Sequence, residues 1–466
     1  MKKIVVTITM TVFLVCFIHV IYAYAVKDVK NLTLLVGQSM WLNKPEGTGD
    51  DFRWVCNNNN LLIEEDDIVL AKEAGQATLQ LKNDNQTLLQ YDFTIKDTET
   101  VRFAYADNCR PEEGKSINFF AITDLSANNV RFSFDGKNVE SKSKNVDNNV
   151  IVWQSEILVS DNKPFTVTID YFKDSSWVKS DKTIHILGTS SNEPSLCERC
   201  ISSQCVDFIA KWEGFLACLR KCDPLSRFKV RDIGHGHVVP PLEPFYNNIT
   251  MSEAKALLFE TLNKDYYAKK VNEFLISNQI KFNQNQFDAL VSFCYNLGAK
   301  WMEDSNLKNI ILDCKNPHKA NFATVAYERG INVRSEPSLS AKIIKTIPFR
   351  EEVVVLSNQK YNDNWYHVKT KSGSFGFCFD EGLNITSKEY ALPINSLESI
   401  DRENFTNTVL KYHHGNYKCL RGLLYRRIDE IEMFFFGDYK NDGNFNKLKF
   451  PVPECIKSIL EKLTLL

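Results

Sequence analysis

From residue 26 to about 190, apolar and polar residues alternate in short runs, as in Ala77-Thr78-Leu79-Gln80-Leu81 and Phe165-Thr166-Val167-Thr168-Ile169. A period of two places every second side chain on one face, which predicts half-buried antiparallel strands. Asn, Asp and Gly clusters separate the runs. The stretch is long enough for two small β-sandwiches, 26–98 and 99–190, divided near Thr98 to Thr100. It carries no pattern of catalytic residues, so a spacer or adhesion role is expected of it.

Gly188 to Pro194 is a polar linker, and beyond it the period becomes helical. Val206, Ile209, Trp212, Phe215 and Leu216 recur at three- and four-residue intervals, which places Glu213 near the end of an amphipathic helix. Thr250-Met251-Ser252-Glu253 reads as a capping box ahead of Ala254, Leu257, Leu258 and Leu262. A further helix is predicted from Gln284 to Leu297, stopped by Gly298. Short strands return from Ala326 to about Thr386, and Arg421 to Phe434 is again helical. The Arg426-Arg427 pair reads there as a solvated polar face.

A chain of 466 residues exceeds one hydrophobic core, so roughly two to four domains are expected. Lys2 and Lys3, the apolar run Ile4 to Ile21 and Ala23-Tyr24-Ala25 predict a secretory signal over 1–25. That run is long, and an uncleaved membrane anchor is the competing reading. Removing the signal takes two lysines and no acid, moving the net charge from −2 to −4. Such a charge gives no support for nucleic-acid binding. Cys16 also leaves, and the remaining twelve cysteines favour disulfides in an exported chain. Cys197, Cys200, Cys205, Cys218 and Cys222 crowd together. Disulfides are expected there, with one member pairing farther away and a structural zinc as the alternative. Five sequons, at Asn31, Asn85, Asn248, Asn384 and Asn404, predict a glycoprotein.

The densest candidate chemistry is Trp212-Glu213-Gly214-Phe215, followed by Asp223-Pro224 and Asp232-Ile233-Gly234-His235-Gly236-His237. Cleaving a glycosidic bond needs one carboxylic acid to protonate the leaving oxygen and a second carboxylate to activate water or act as nucleophile. Glu213, between aromatic neighbours, suits the first role; Asp223 and Asp232 are candidates for the second. The His235 and His237 pair also admits a metal site or a Cys/His protease, but no matched nucleophile setting accompanies it.

These blocks resemble the phage-type lysozymes of glycoside hydrolase family 24. The similarity continues through Asn285-Gln286-Phe287-Asp288-Ala289-Leu290-Val291-Ser292-Phe293-Cys294-Tyr295-Asn296-Leu297-Gly298 and ends at Gly422-Leu423-Leu424-Tyr425-Arg426-Arg427-Ile428-Asp429-Glu430. The resemblance implies a lysozyme-like α+β domain in which Glu213 is the general acid and Asp223 positions or activates water. Asp232 stands where the family has a threonine that helps hold that water. Asp223 lies one residue farther from the glutamate than is usual, and the loop to Asp232 is about three residues longer. Asp232 then either takes over as base or crowds a third carboxylate into the site. His235 is a candidate substrate contact.

Ile331-Asn332-Val333-Arg334, Ile343-Ile344-Lys345-Thr346-Ile347, Asn364-Trp365-Tyr366-His367-Val368 and Gly376-Phe377-Cys378 resemble bacterial-type SH3 domains. That implies a small barrel binding cell-wall peptide or glycan, with Trp365 and Tyr366 as candidate contacts. Loosely, Trp54, Cys56 and Cys109 are similar to an immunoglobulin pattern. The expected organisation is two immunoglobulin-like sandwiches, a lysozyme-like domain in two parts, 197–323 and 388–466, and the barrel, 324–387, inserted between them. A linear arrangement with a separate helical tail is the alternative. The whole reads as a secreted monomeric muramidase acting on bacterial peptidoglycan, without cofactor or metal and without membrane contact beyond the signal. The alternative is a wall-binding or adhesion protein that has lost catalysis.

Overall fold

The computed structural model describes residues 28–443 apart from 85, 112–113, 160–162, 190–195, 221–230, 265, 317–318, 357–359, 361–362, 393–396, 413, 416–417 and 420. The expected signal segment, Asn85, Cys222 and Asp223 therefore lie outside the described residues. Two four-stranded sheets face each other in the first sandwich. One contains Arg53–Cys56, Gly75–Lys82 and Thr87–Lys96, with Asp28–Leu35 pairing parallel to the last. Inward residues such as Leu79, Leu81 and Phe93 are fully buried, as the alternation predicts. The other sheet contains Gln38–Trp41, Ile68–Ala71 and Leu61–Ile63, and its fourth strand is Pro244–Tyr246, contributed from far along the chain.

A second sandwich spans Val101–Ala106 to Ser176–Ile186, again as two four-stranded sheets. Cys109 forms a disulfide with Cys200, across a separation of 91 residues. The bridge ties this sandwich to the start of the helical domain, so Cys200 is a member of the cysteine cluster that pairs farther away. Cys205, Cys294, Cys314 and Cys378 are buried thiols packed among apolar side chains rather than disulfides.

The helices are α1 (Ser203–Glu213), α2 (Met251–Lys264), α3 (Tyr267–Ser277), α4 (Gln284–Leu297), α5 (Asn306–Asp313), α6 (Arg402–Leu410) and α7 (Arg421–Phe436). The Ser202 hydroxyl caps α1 by accepting from Cys205 N–H, and the predicted capping box of α2 forms, with Glu253 Oε2 accepting from Thr250 N–H at 2.9 Å. α4 begins on an Asn283 capping box and stops at Gly298. Helices on both sides of the barrel share one core, in which Val206, Leu258, Phe287, Val291, Ile428 and Phe434 meet. The Arg426-Arg427 pair of α7 is buried, Arg426 at 2 % and Arg427 at 0 % exposure, so the expected solvated face is corrected.

The barrel region is a seven-stranded sheet between Lys319–Val325 and Leu383–Ala391. Its first and last strands pair with Lys319 opposite Ala391, so the chain enters and leaves at one point. Val333, Ile347, Val353 and Val368 fill its interior, while Trp365 and Phe377 turn outward into the helical core.

Candidate active site

Glu213 is the last residue of α1, where Gly214 takes a φ of +76° that ends the helix and turns the chain away. The segment beyond it bonds to the following hairpin: Leu216 N–H donates to Gly234 O at 2.9 Å and Gly234 N–H returns to Leu216 O at 2.8 Å. That hairpin pairs Asp232–Ile233 with His237–Val238 around the turn Gly234-His235-Gly236. Gly236 has a φ of +88°, and a Cβ there would stand 3.1 Å from Tyr295 Oη and 3.7 Å from Glu213 Oε2. The helix end and the hairpin tip thus converge on the glutamate.

Glu213 Oε1 accepts from Arg426 Nη1. Arg426 Nε also donates to Glu430 Oε1 at 3.1 Å, and Arg427 Nε lies 3.1 Å from Glu430 Oε2. Ser292 Oγ donates to Glu430 Oε1 at 2.7 Å. Burial pulls the Arg426 guanidinium down, but Glu430 and Glu213 outweigh it and leave it above its ordinary value. Arg427, with less compensation, is pushed down to about 10 by burial. The result is a buried lattice of two cations and one anion, with Glu213 at its solvent edge.

The structure brings Asp232 and His235 to this site and leaves the two barrel aromatics away from solvent. Asp232 Oδ1 lies 2.9 Å from Arg220 Nε, so the residue in the threonine position carries a cation of its own. His235 is 4 % exposed and its Nδ1 is bonded to Gly214 O, which makes the ring a brace between helix end and hairpin. Burial lowers its pKa, partly offset by the Gly214 carbonyl and Glu213. His237 engages Thr261 Oγ1 at 2.8 Å and Glu243 Oε1 at 3.3 Å. Trp365 and Tyr366, expected as wall contacts, are 5 % and 9 % exposed; one packs into the helical core and the other into the barrel.

Three residues of the site had no role assigned from sequence. Tyr295 Oη donates to His235 O at 2.8 Å, and its phenol is pushed up by burial, then by the charges of Glu213 and, more weakly, Asp232. Arg426 and Glu430 are the others. Their four-residue spacing is a visible signal, since it joins opposite charges on one helix face, but it does not reveal that the face is buried.

Residues 210–333 match the family model of phage lysozyme, and residues 329–384 match that of the bacterial SH3 domain. Both resemblances read from the sequence are borne out. No curated protein matches. Among solved structures, a maltogenic amylase from S. marinus is 11 % identical over 40 % of this chain and 32 % of its own, with a TM-score of 0.16. The N-terminal eight immunoglobulin domains of Down syndrome cell adhesion molecule are 12 % identical over 35 % of this chain and 26 % of theirs, with a TM-score of 0.15. The chicken CNTN1 FN1–FN3 domains are 11 % identical over 35 % of this chain and 63 % of theirs, with a TM-score of 0.15. The chain thus spans less than two thirds of each, and at such scores the likenesses carry no argument. The chain thus carries one stretch that matches phage lysozyme and another that matches the bacterial SH3 domain.

Proposed function

We propose that this protein is a secreted lysozyme that hydrolyses the β-1,4 glycosidic bonds of peptidoglycan, with the barrel inserted in the catalytic domain. The observation that carries the reading is the setting of Glu213: Oε1 is held by buried Arg426 while Oε2 lies over Gly236, at the hairpin tip. A carboxyl fixed through one oxygen presents the other in a defined direction, which positions a proton for the leaving glycosidic oxygen. Asp223 is assigned the water on the opposite face, and Asp232, tethered to Arg220, assists in holding it. Arg426, His235 and Tyr295 position; they do not transfer protons. The pairing of Lys319 with Ala391 supports the insertion, because a module whose ends meet replaces a surface loop without displacing its flanks.

Wall retention is assigned to the outer face of the barrel sheet. Phe322 and Tyr390 meet edge to face at 5.7 Å there, with Lys388 Nζ 4.3 Å above the Phe322 ring. Arg350 and Lys371 border the same groove. Stacking rings among cations suit sugars that bear carboxylates.

A second reading, a wall-binding protein without catalysis, draws on the engagement of Asp232 by Arg220. A turbidity assay on purified bacterial walls separates the two. The intact protein should clear the suspension, Glu213→Gln should not, and Glu303→Gln, at a residue distant in sequence, should clear normally. Failure of the intact protein on several wall types would leave only the binding reading.

A further inference from the structure

Downstream of the catalytic helices, one oxygen from each of Asp429, Glu432 and Asp442 lies within 4.8 Å of the others. Asp429 and Glu432 are three residues apart on α7 and share a face. Asp442 returns to them on the segment after the helix, which Gly437 turns back with a φ of +64°. That segment is firmly placed: Tyr439 Oη donates to Asp288 Oδ2 at 2.7 Å and Asn441 Nδ2 donates to Phe208 O at 2.9 Å. A Cβ on Gly443 would meet Tyr425 Cβ at 2.6 Å, so glycine is required where the loop closes on the helix.

A cluster of acids alone is common, and what singles this one out is Asp429. Its side chain is fully buried. Oδ1 accepts from Gly443 N–H at 2.8 Å, whereas Oδ2 is enclosed with no hydrogen-bond partner among the described residues. An unpaired buried carboxylate oxygen is costly. Asp438 adds further negative charge, and Lys440, itself largely exposed, reaches it only at 3.9 Å.

We infer that Asp429, Glu432 and Asp442 bind a hard divalent cation, calcium, which fastens the segment 437–443 to α7. Calcium accepts six to eight oxygens at about 2.3–2.6 Å in irregular geometry, so two oxygens on opposite sides of one ion are separated by about twice that bond length. The three carboxylates fit within that span. Asp442 is the exposed member of the three. Magnesium, which demands a near-regular octahedron, fits this donor set less well. The ion would sit one turn beyond Arg426 on the helix that supplies the Glu213 contact, supporting that helix without joining the chemistry.

Titration calorimetry and thermal unfolding of the full chain, first stripped with a chelator, test the site. Calcium chloride should give a saturable one-site heat and raise Tm by several degrees. Magnesium chloride should bind more weakly. Asp442→Asn, at an exposed position, should keep the metal-free Tm and weaken calcium by roughly tenfold or more, since losing even an outer partner costs about 10–100-fold. Asp429→Asn should abolish the calcium response, and if that variant does not fold, Asp442→Asn alone decides. No calcium heat at millimolar concentration, magnesium binding as tightly as calcium, or unchanged affinity in Asp442→Asn would overturn the proposal. These readouts do not depend on wall hydrolysis, so they stand or fall separately from the lysozyme reading.

Discussion

Glu430 sits between two buried guanidiniums and accepts the Ser292 hydroxyl. Replacing it by glutamine would leave Arg426 and Arg427 partly unpaired in the interior, and breaking a buried pair in this way typically costs ~3–5 kcal/mol. Urea unfolding of Glu430→Gln should show that loss as a lower midpoint. Asp288 is a second buried acid, pushed up to about 6 from 3.8 by burial against hydrogen bonds from Ser202, Tyr439 and Gln284. Because its pKa rises on folding, its contribution is fully present below about 4 and is lost as pH climbs through about 6. A two-unit rise corresponds to ~3 kcal/mol. Unfolding measured between pH 4 and 7 should therefore show a decline that Asp288→Asn flattens. The position of Glu213 at a helix end was legible, because Val206, Ile209 and Trp212 mark the helix and Gly214 ends it. Its partner was not: Arg426 lies 213 residues away, and its charge pattern is the same on a wet face as on a buried one.

Between elements, the hairpin that carries Asp232 is held from behind by the first sandwich. The strand Pro244–Tyr246 completes that sandwich's sheet against Gln38–Met40. Trp41 Nε1 donates to Val239 O at 2.8 Å, and Arg231 stacks on the Trp41 ring at 5.0 Å. Trp41, Ile233 and Val239 share one apolar cluster. A domain expected to be a spacer thus braces the site. Trp41→Ala should cost ~3–5 kcal/mol, as large core truncations do, and should slow wall clearing although Trp41 is remote from Glu213 in sequence. Normal clearing by a folded Trp41→Ala protein would remove the bracing role. Local signals predicted α1, α2, α4 and α7, since caps and stops such as Thr250 and Gly298 act within a few residues, but not α3, α5 and α6. A three-residue strand added to another domain's sheet has no local signal, because its partner is set by long-range register.

At the scale of the whole molecule, the Cys109–Cys200 bridge links the second sandwich to the residues just before α1. Arg102 and Glu253, 2.7 Å apart, join the same two bodies. Opening the bridge releases a long loop, and native disulfides of this kind contribute ~2–5 kcal/mol. Cys109→Ser with Cys200→Ser should lower Tm, and reductant should lower the Tm of the parent chain more than that of the variant. The domain types were readable from motif blocks, whereas the pairing of the cysteines was not, because spacing alone does not reveal which thiols the fold buries. The central claim is that Glu213 drives cleavage of the glycan. Its most direct test counts new reducing sugar ends and new free amino groups released from purified walls by the parent protein and by Glu213→Gln. The account predicts that reducing ends rise with the parent alone while amino groups stay constant. New amino groups without reducing ends, or equal release of reducing ends by Glu213→Gln, would contradict it.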